Sequence, residues 1–350
     1  DNNLYDSPYN DTTKSPWYNA DGNPYGSMMT NSNNKNAAQR LIADIYAELE
    51  PVKNLKLRTT FGINYHSSDY RSFKPIYCFS IYDYNKDHTT VTQRASKGQR
   101  LTWTNTASYD FTVGSHAFNT MIGMEAKRYD GVGLSASNWN LLSQFNDFAH
   151  AYINNTTGVA HEKDGGIAET KEVSGGPDDE FRSLSYFGRI GYNYQEKYMF
   201  NATLRADASS NFASGHRWGY FPSFSAGWVI TNEAFMEKTQ NWLDFLKFRV
   251  SWGQVGNQNI DPFQYASPIS TSTNVSNDNP AANYIFGTGL GAGSNVKGSY
   301  PVRLSNPNVK WETSAQTNIG FDARFLDSRL GVNADFYIKT TKDWLVEAPI

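Results

Sequence analysis

Apolar and polar residues alternate one by one along several long stretches of this chain. In a strand, successive side chains point to opposite faces, so alternation over ten or so residues describes a wall with two unlike sides. Tyr198, Phe200, Ala202, Leu204 and Ala206 oppose Met199, Asn201, Thr203, Arg205 and Asp207. Leu55, Leu57, Thr59, Phe61 and Ile63 oppose Lys56, Arg58, Thr60, Gly62 and Asn64. The pattern returns at Leu101–Phe111, Phe118–Ala126, Tyr186–Tyr194, Phe224–Ile230, Leu246–Trp252, Trp311–Phe325 and Leu330–Ile338; with Leu41–Leu49 at the front there are about ten such segments. A strand of about 11 residues, tilted near 45°, spans roughly 25 Å, the height of an outer-membrane apolar band, whereas soluble strands average about five or six residues. The expected fold is all-β: a partial antiparallel transmembrane β-barrel of about ten strands.

The connections point the same way. Short links are expected at Pro51–Asn54, Val113–Ser115, around Glu196 and at Leu326–Arg329, with a medium one at Asn232–Asp244. Long polar links fall between them, at Ser67–Gly98, Tyr129–Arg182, Ser209–Trp218 and Gly256–Val309. Short periplasmic turns alternating with long outer loops are the order of an up-and-down membrane barrel, and loops this long are uncommon in compact domains. Residues 1–39 are therefore expected to form an extracellular loop region. Residues 40–350 should form the wall, with extracellular loops near 67–98, 129–182 and 256–309.

Composition narrows the class. Aromatic residues make up 15% of the chain, with 22 Tyr, 21 Phe and 9 Trp, yet its mean hydropathy is negative. That combination suits a wall with lipid on one face, water on the other and aromatic girdles at the interfaces. A net charge of −3, with no basic run interleaved with aromatics, gives no reason to expect nucleic acid. Cys78, the single cysteine, permits no internal disulfide and reads as structural. No run approaches the roughly 18 apolar residues of a membrane-spanning helix, and no signal peptide opens the chain. The polar start at Asp1 and the apolar Trp344-Leu345-Val346 near the end suggest a piece of a longer protein.

From Leu204 onward specific motifs appear. Leu204-Arg205-Ala206-Asp207-Ala208-Ser209-Ser210-Asn211-Phe212 leads to Arg217-Trp218-Gly219-Tyr220-Phe221-Pro222-Ser223. Leu246–Gly253 is followed by Gly256-Asn257-Gln258, then by Asn306-Pro307-Asn308-Val309-Lys310-Trp311-Glu312-Thr313 and Asp335-Phe336-Tyr337. In this order the motifs resemble the SusC/RagA family of TonB-linked outer-membrane transporters. Ala208 stands where that family favours Gly, and Asn211 where a basic residue is common. The resemblance implies the roughly 22-stranded barrel of TonB-dependent receptors, with plug and TonB-contacting segments outside this chain. It also implies a SusD-like lipoprotein partner, TonB–ExbB–ExbD drive through the plug region, outer-membrane lipid around the wall, and oligosaccharide or peptide cargo.

Residue by residue the chemistry is modest. Trp139, Asn140, Phe145, Asn146 and Asp147 lie in the longest expected loop. Trp stacked on a sugar, with Asn and Asp on its hydroxyls, would suit substrate contact at Trp139, Asn140, Asn146 and Asp147; the plainer reading makes Trp139–Leu142 the loop's own packing core, and the sequence favours it. Arg58, Arg189, Arg205, Asp207, Arg249, Asp322 and Arg324 are expected to face the lumen, as a solute path or, more simply, as a charge ladder. Asp178-Asp179-Glu180 lacks the spacing of a calcium loop, Gly287–Gly293 lacks the phosphate-loop Lys, and the six His show no metal spacing. No catalytic constellation, metal site or cofactor is expected. Import by the SusC-like barrel is the leading reading; a siderophore or cobalamin receptor, an adhesion barrel and a secreted β-rich carbohydrate-active enzyme are the rivals.

Overall fold

The computed structural model describes residues 24–31, 33–78, 84–85, 88–145, 147–158, 161–163, 166–168, 171–178, 180–239, 241–271, 283–286, 294–297, 299–301 and 304–346. The expectations for residues 1–23, Asn146, Asp179 and Gly287–Gly293 fall outside them. A short helix, α1 (Pro24–Asn31), precedes the strands. Those of the main sheet are β1 (Asn34–Val52), β2 (Leu55–Lys74), β3 (Thr90–Val113), β4 (His116–Trp139), β5 (Glu172–Pro177), β6 (Phe181–Tyr194), β7 (Tyr198–Ser209), β8 (Trp218–Val229), β9 (Leu243–Asn257), β10 (Glu312–Phe325) and β11 (Leu330–Lys342), and the connections add short two-stranded pairs. All eleven belong to one sheet, ordered β1-β2-β3-β4-β6-β7-β8-β9-β10-β11, with short β5 pairing β4. Among the described residues no helix is long and apolar enough to cross a membrane.

The chain divides into two compact units. The loop unit comprises Asp1–Asp44, Gly62–Leu101 and Tyr129–Glu180; the wall unit comprises Ile45–Phe61, Thr102–Arg128 and Phe181–Ile350.

In the wall unit the ladders keep like with like. Opposite β7, β8 places Trp228 against Tyr198, Ala226 against Phe200, Phe224 against Ala202 and Pro222 against Leu204. Phe224 then faces Trp252 of β9, Val250 faces Ile319 of β10, and Ile319 faces Phe336 of β11. Cross-strand pairing thus extends one apolar face across the sheet, and a one-residue slip would turn all of it to the other side. Leu204, Phe336 and Ile190 are half or more exposed. The intervening positions pair Asn201 with Ser225 and Ser251 with Asn318. Between β6 and β7 the chain reverses through Gln195 (φ 50°) and Glu196 (φ 57°), two consecutive left-handed residues whose twist matches the flanking strands.

In the loop unit Phe73, Val91, Leu141 and Ala151 are buried together, with Phe145, Phe148 and Ile153 packed against them. The strands entering this unit run further than the alternation suggests. β2 continues to Lys74, and β3 begins at Thr90. Alternation records two unlike environments; where both faces of a ladder meet water or loop, the backbone pairing persists without the pattern.

Candidate functional site

The polar face of the wall carries five connected groups. Arg205 donates through Nε to Asp207 Oδ1 at 2.7 Å and through Nη2 to Glu125 at 3.2 Å, and Lys127 lies 2.7 Å from the same Glu125 oxygen. Arg249 grips Asp322 with two bonds of 2.7 and 2.9 Å and reaches Asp335 at 3.3 Å. Arg189 donates to Asn119 at 2.8 Å, whose amide donates in turn to Asp110. Arg58 lies 3.9 Å from Glu48 and 4.0 Å over the Tyr46 ring. Arg324 sits 5.6 Å over Phe245. By the strand registers Arg189, Arg205, Asp207, Arg249, Asp322 and Arg324 share one face; the structure joins Arg205 to Asp207 and Arg249 to Asp322 and leaves the others, Arg58 among them, in separate groups. The arginines of the ion pairs remain more than a third exposed, so each pair contributes only about 0–1 kcal/mol. They form a ladder of fixed charge rather than a stabilising core.

Sequence reasoning missed what the motifs build. Phe212, Phe221 and Trp311 are buried together beside Ile260 and Val309. Trp311 Nε1 donates to Arg217 O at 2.8 Å, Arg217 Nε to Phe212 O at 3.3 Å, and Asn211 Nδ2 to Gln258 O at 3.2 Å. A Cβ on Gly256 would lie 2.1 Å from the Phe221 ring, and one on Gly219 2.5 Å from it. Only glycine seats that ring. The motif residues therefore knot together the roots of the connections at Ser209–Trp218 and Gly256–Val309. Trp311, which the alternation placed in the outward apolar series, is corrected by this: the regular pairing of β10 begins only at Glu312, so the parity of the strand does not reach Trp311.

Beside the knot lies a cleft of about 910 Å³ lined by Asn259, Asp261, Gln264, Asn308, Lys310 and Trp344, among others. Trp344 is 68% exposed, and Lys310 pairs with Asp343 at 3.1 Å.

In the loop unit, Asn140 has the left-handed backbone (φ 56°) that Asn tolerates. Its N–H donates to Thr89 O at 3.0 Å, and its amide to Gly158 O at 3.2 Å. Trp139 meets His88 edge-on at 5.6 Å, and Gly158 N donates to its carbonyl. Asp147 caps the 3₁₀ turn Phe148–His150, accepting from His150 N at 3.0 Å and facing its Nδ1 at 2.9 Å. The His150 hydrogen bond holds the Asp147 carboxyl below the usual carboxylate range. Arg71 lies over Phe148 at 4.4 Å and Tyr152 at 4.1 Å. Among the described residues no cluster of three His, Cys, Asp or Glu side chains could hold a metal ion.

Ten long antiparallel strands in one sheet, with large apolar side chains exposed along one face and charged groups along the other, suit the wall of a membrane barrel. The chain belongs to the TonB dependent receptor-like β-barrel family, whose model matches residues 1–350, and that family resides in the outer membrane. It is 30% identical to the TonB-dependent receptor SusC of Bacteroides thetaiotaomicron over 88% of this chain and 27% of that protein. It is 29% identical to TonB-dependent receptor P3 of Formosa agariphila over 95% of this chain and 31% of that one. The chain thus spans less than a third of the length of these relatives. Among solved structures the RagAB peptide transporter superposes with a TM-score of 0.71 at 23% identity, covering 91% of this chain and 32% of that one.

Proposed function

We propose that this chain is the wall segment of an importer that carries oligosaccharides or peptides across the outer membrane. The observation that carries the reading is the two-faced sheet: a continuous apolar belt on one side and, on the other, a ladder of ion pairs and amides suited to a wet lumen. The 30% identity to SusC and the superposition on a structure described as a peptide transporter support this cargo class over siderophore or cobalamin. Energy comes from TonB–ExbB–ExbD through a plug region outside these 350 residues, and a SusD-like lipoprotein covers the outer loops. Arg58, Arg189, Arg205, Asp207, Arg249, Asp322 and Arg324 face the lumen and position plug and neighbouring strands by charge. Trp139, Asn140 and Asp147 set the shape of the loop that meets substrate; Trp344 with Asn259, Gln264 and Asn308 supplies an aromatic platform flanked by amides, chemistry suited to a sugar ring or a peptide bond.

The test is uptake. Deleting the gene should abolish import of one labelled oligosaccharide or peptide pool by intact cells, and restoring it should return import. Undiminished uptake of every glycan, peptide, siderophore and cobalamin tested, together with lost surface attachment, would overturn transport in favour of an adhesion barrel.

A further inference from the structure

β8 and β9 are adjacent antiparallel strands, yet the link between them runs from Ile230 to Trp242, where a turn of about two residues would close the hairpin. The link is two 3₁₀ turns, Ile230–Asn232 and Ala234–Thr239, with Glu233 between them. Glu233 is tied to the apolar side of the wall. Its carboxylate accepts from the Tyr198 hydroxyl at 2.6 Å, from Trp228 Nε1 at 3.2 Å and from Lys197 Nζ at 3.3 Å. At the far end Trp242 stacks with Phe325 at 6.1 Å, and Leu326 N donates to Trp242 O at 3.2 Å. Tyr198, Trp228 and Phe325 all belong to the apolar series. The link therefore crosses the end of β9 on the side that faces lipid.

In a 3₁₀ helix residues three apart eclipse one another, so Ala234–Thr239 presents three rows. Met236 and Thr239 are both half-buried and form the row turned to the wall. Phe235 and Lys238 share a second row; Ala234 and Glu237 share the third. Phe235 is 67% exposed and Trp242 51%. Aromatic rings at the polar–apolar boundary, with a Lys whose stem can lie along hydrocarbon while its ammonium reaches a headgroup, are the composition of an interfacial segment.

We propose that Ile230–Thr239, with Trp242, is a foot that rests in the headgroup layer of the periplasmic leaflet, with Phe235 and Trp242 inserted beside the acyl-chain esters and Lys238 against a phospholipid phosphate. The occupant is phospholipid because the foot is joined at both ends to residues of the wall's apolar series, Tyr198 and Trp228 at one and Phe325 at the other. Of its two carboxylates, Glu233 already holds three donors, and Glu237 lies on a different row from Phe235 and Lys238. The inference rests on the membrane placement of the wall and the periplasmic side of its short links, not on which solute is carried.

Spin labels test it in the full-length receptor, reconstituted in phosphatidylethanolamine–phosphatidylglycerol vesicles on a Cys78→Ser background. A label at Phe235→Cys should be relaxed more by oxygen than by a water-soluble nickel chelate. Labels at Glu237→Cys and at the turn position Asn54→Cys should show the reverse. Equal nickel access at 235, 237 and 54 would put the foot in water and overturn the proposal. Shielding of 235 from both reagents would mean that protein covers it, and would overturn it too. Should a labelled variant not fold, the unlabelled protein reads the same question: phospholipid brominated near the ester should quench wild-type fluorescence more than that of Trp242→Phe, and equal quenching would count against insertion. Solute uptake is a separate measurement, so loss of either claim leaves the other standing.

Discussion

Residue by residue, the wall is decided by parity. Leu204 and Arg205 are neighbours, but Leu204 lies in the apolar belt opposite Pro222, while Arg205 bonds Asp207 and Glu125 on the polar face. Leu204→Arg should destabilise assembly by about 2–4 kcal/mol if the position is near the bilayer midplane. Arg205→Leu should assemble close to wild type, because the change leaves the apolar belt untouched and Glu125 retains Lys127. Heat-modifiable migration on a gel checks both, and equal behaviour of the two variants would sink the register. The same parity misplaced Trp311. Alternation could not reveal that the regular ladder starts one residue later, because a Trp followed by polar Glu312 reads as one more outward position. The motif spacing carried the better clue: Phe212, Phe221 and Trp311 all sit in runs too specific in sequence for a generic lipid face.

For the elements, two connections make testable units. In the loop unit Leu141 is 8% exposed and buried with Phe73, Val91 and Ala151. Leu141→Ala should cost about 2–5 kcal/mol. Because the residue lies outside the apolar belt, the loss should appear as faster hydrogen exchange and proteolysis in 139–158, while heat-modifiable folding of the wall persists. In the wall unit, the tie at Glu233 gives the β8–β9 link a pH dependence. The Tyr198 hydroxyl, then Trp228 and Lys197, hold the Glu233 carboxyl below its usual range. A depressed folded value means that the stabilisation is fully present above the ordinary Glu range near about pH 4.3, and fades as pH falls through the lowered value. A mobility probe on the link should therefore be flat from about pH 5 to 8 and loosen only in stronger acid. With Glu233→Gln, the acid step should vanish. An acid step of the same size in that variant would exclude Glu233 as its origin.

On the scale of the molecule, the architecture was legible because a membrane imposes one rule on every strand. About ten alternating segments became the ten long strands of a single sheet, and short and long links alternate between them except that Ile230–Trp242, on the short side, outruns Ser210–Arg217 on the long side. Strand ends were less legible: β3 and β4 run to 24 residues each, past the reach of any apolar belt, where nothing in the residue pattern marks continued pairing. Of the candidate site, the polar face was readable as a face, but its partners were not. Arg249 with Asp322, or Arg189 with Asn119, depends on which strands lie side by side, and alternation within one strand is silent about its neighbours. The loop residues were hardest. Asn140 and Asp147 satisfy backbone groups of their own loop, a use that leaves the same trace in sequence as a residue awaiting a ligand.

The glycine seat under Phe221 carries a consequence for how such chains diverge. Gly219 and Gly256 come from different strands, yet both are held to a bare backbone by one benzyl group. Substitution should therefore be correlated: a methyl at position 256 should be tolerated only where position 221 has shrunk to something like Ser or Ala. Descendants that swap the ring for a smaller group would be free to lose both glycines at once.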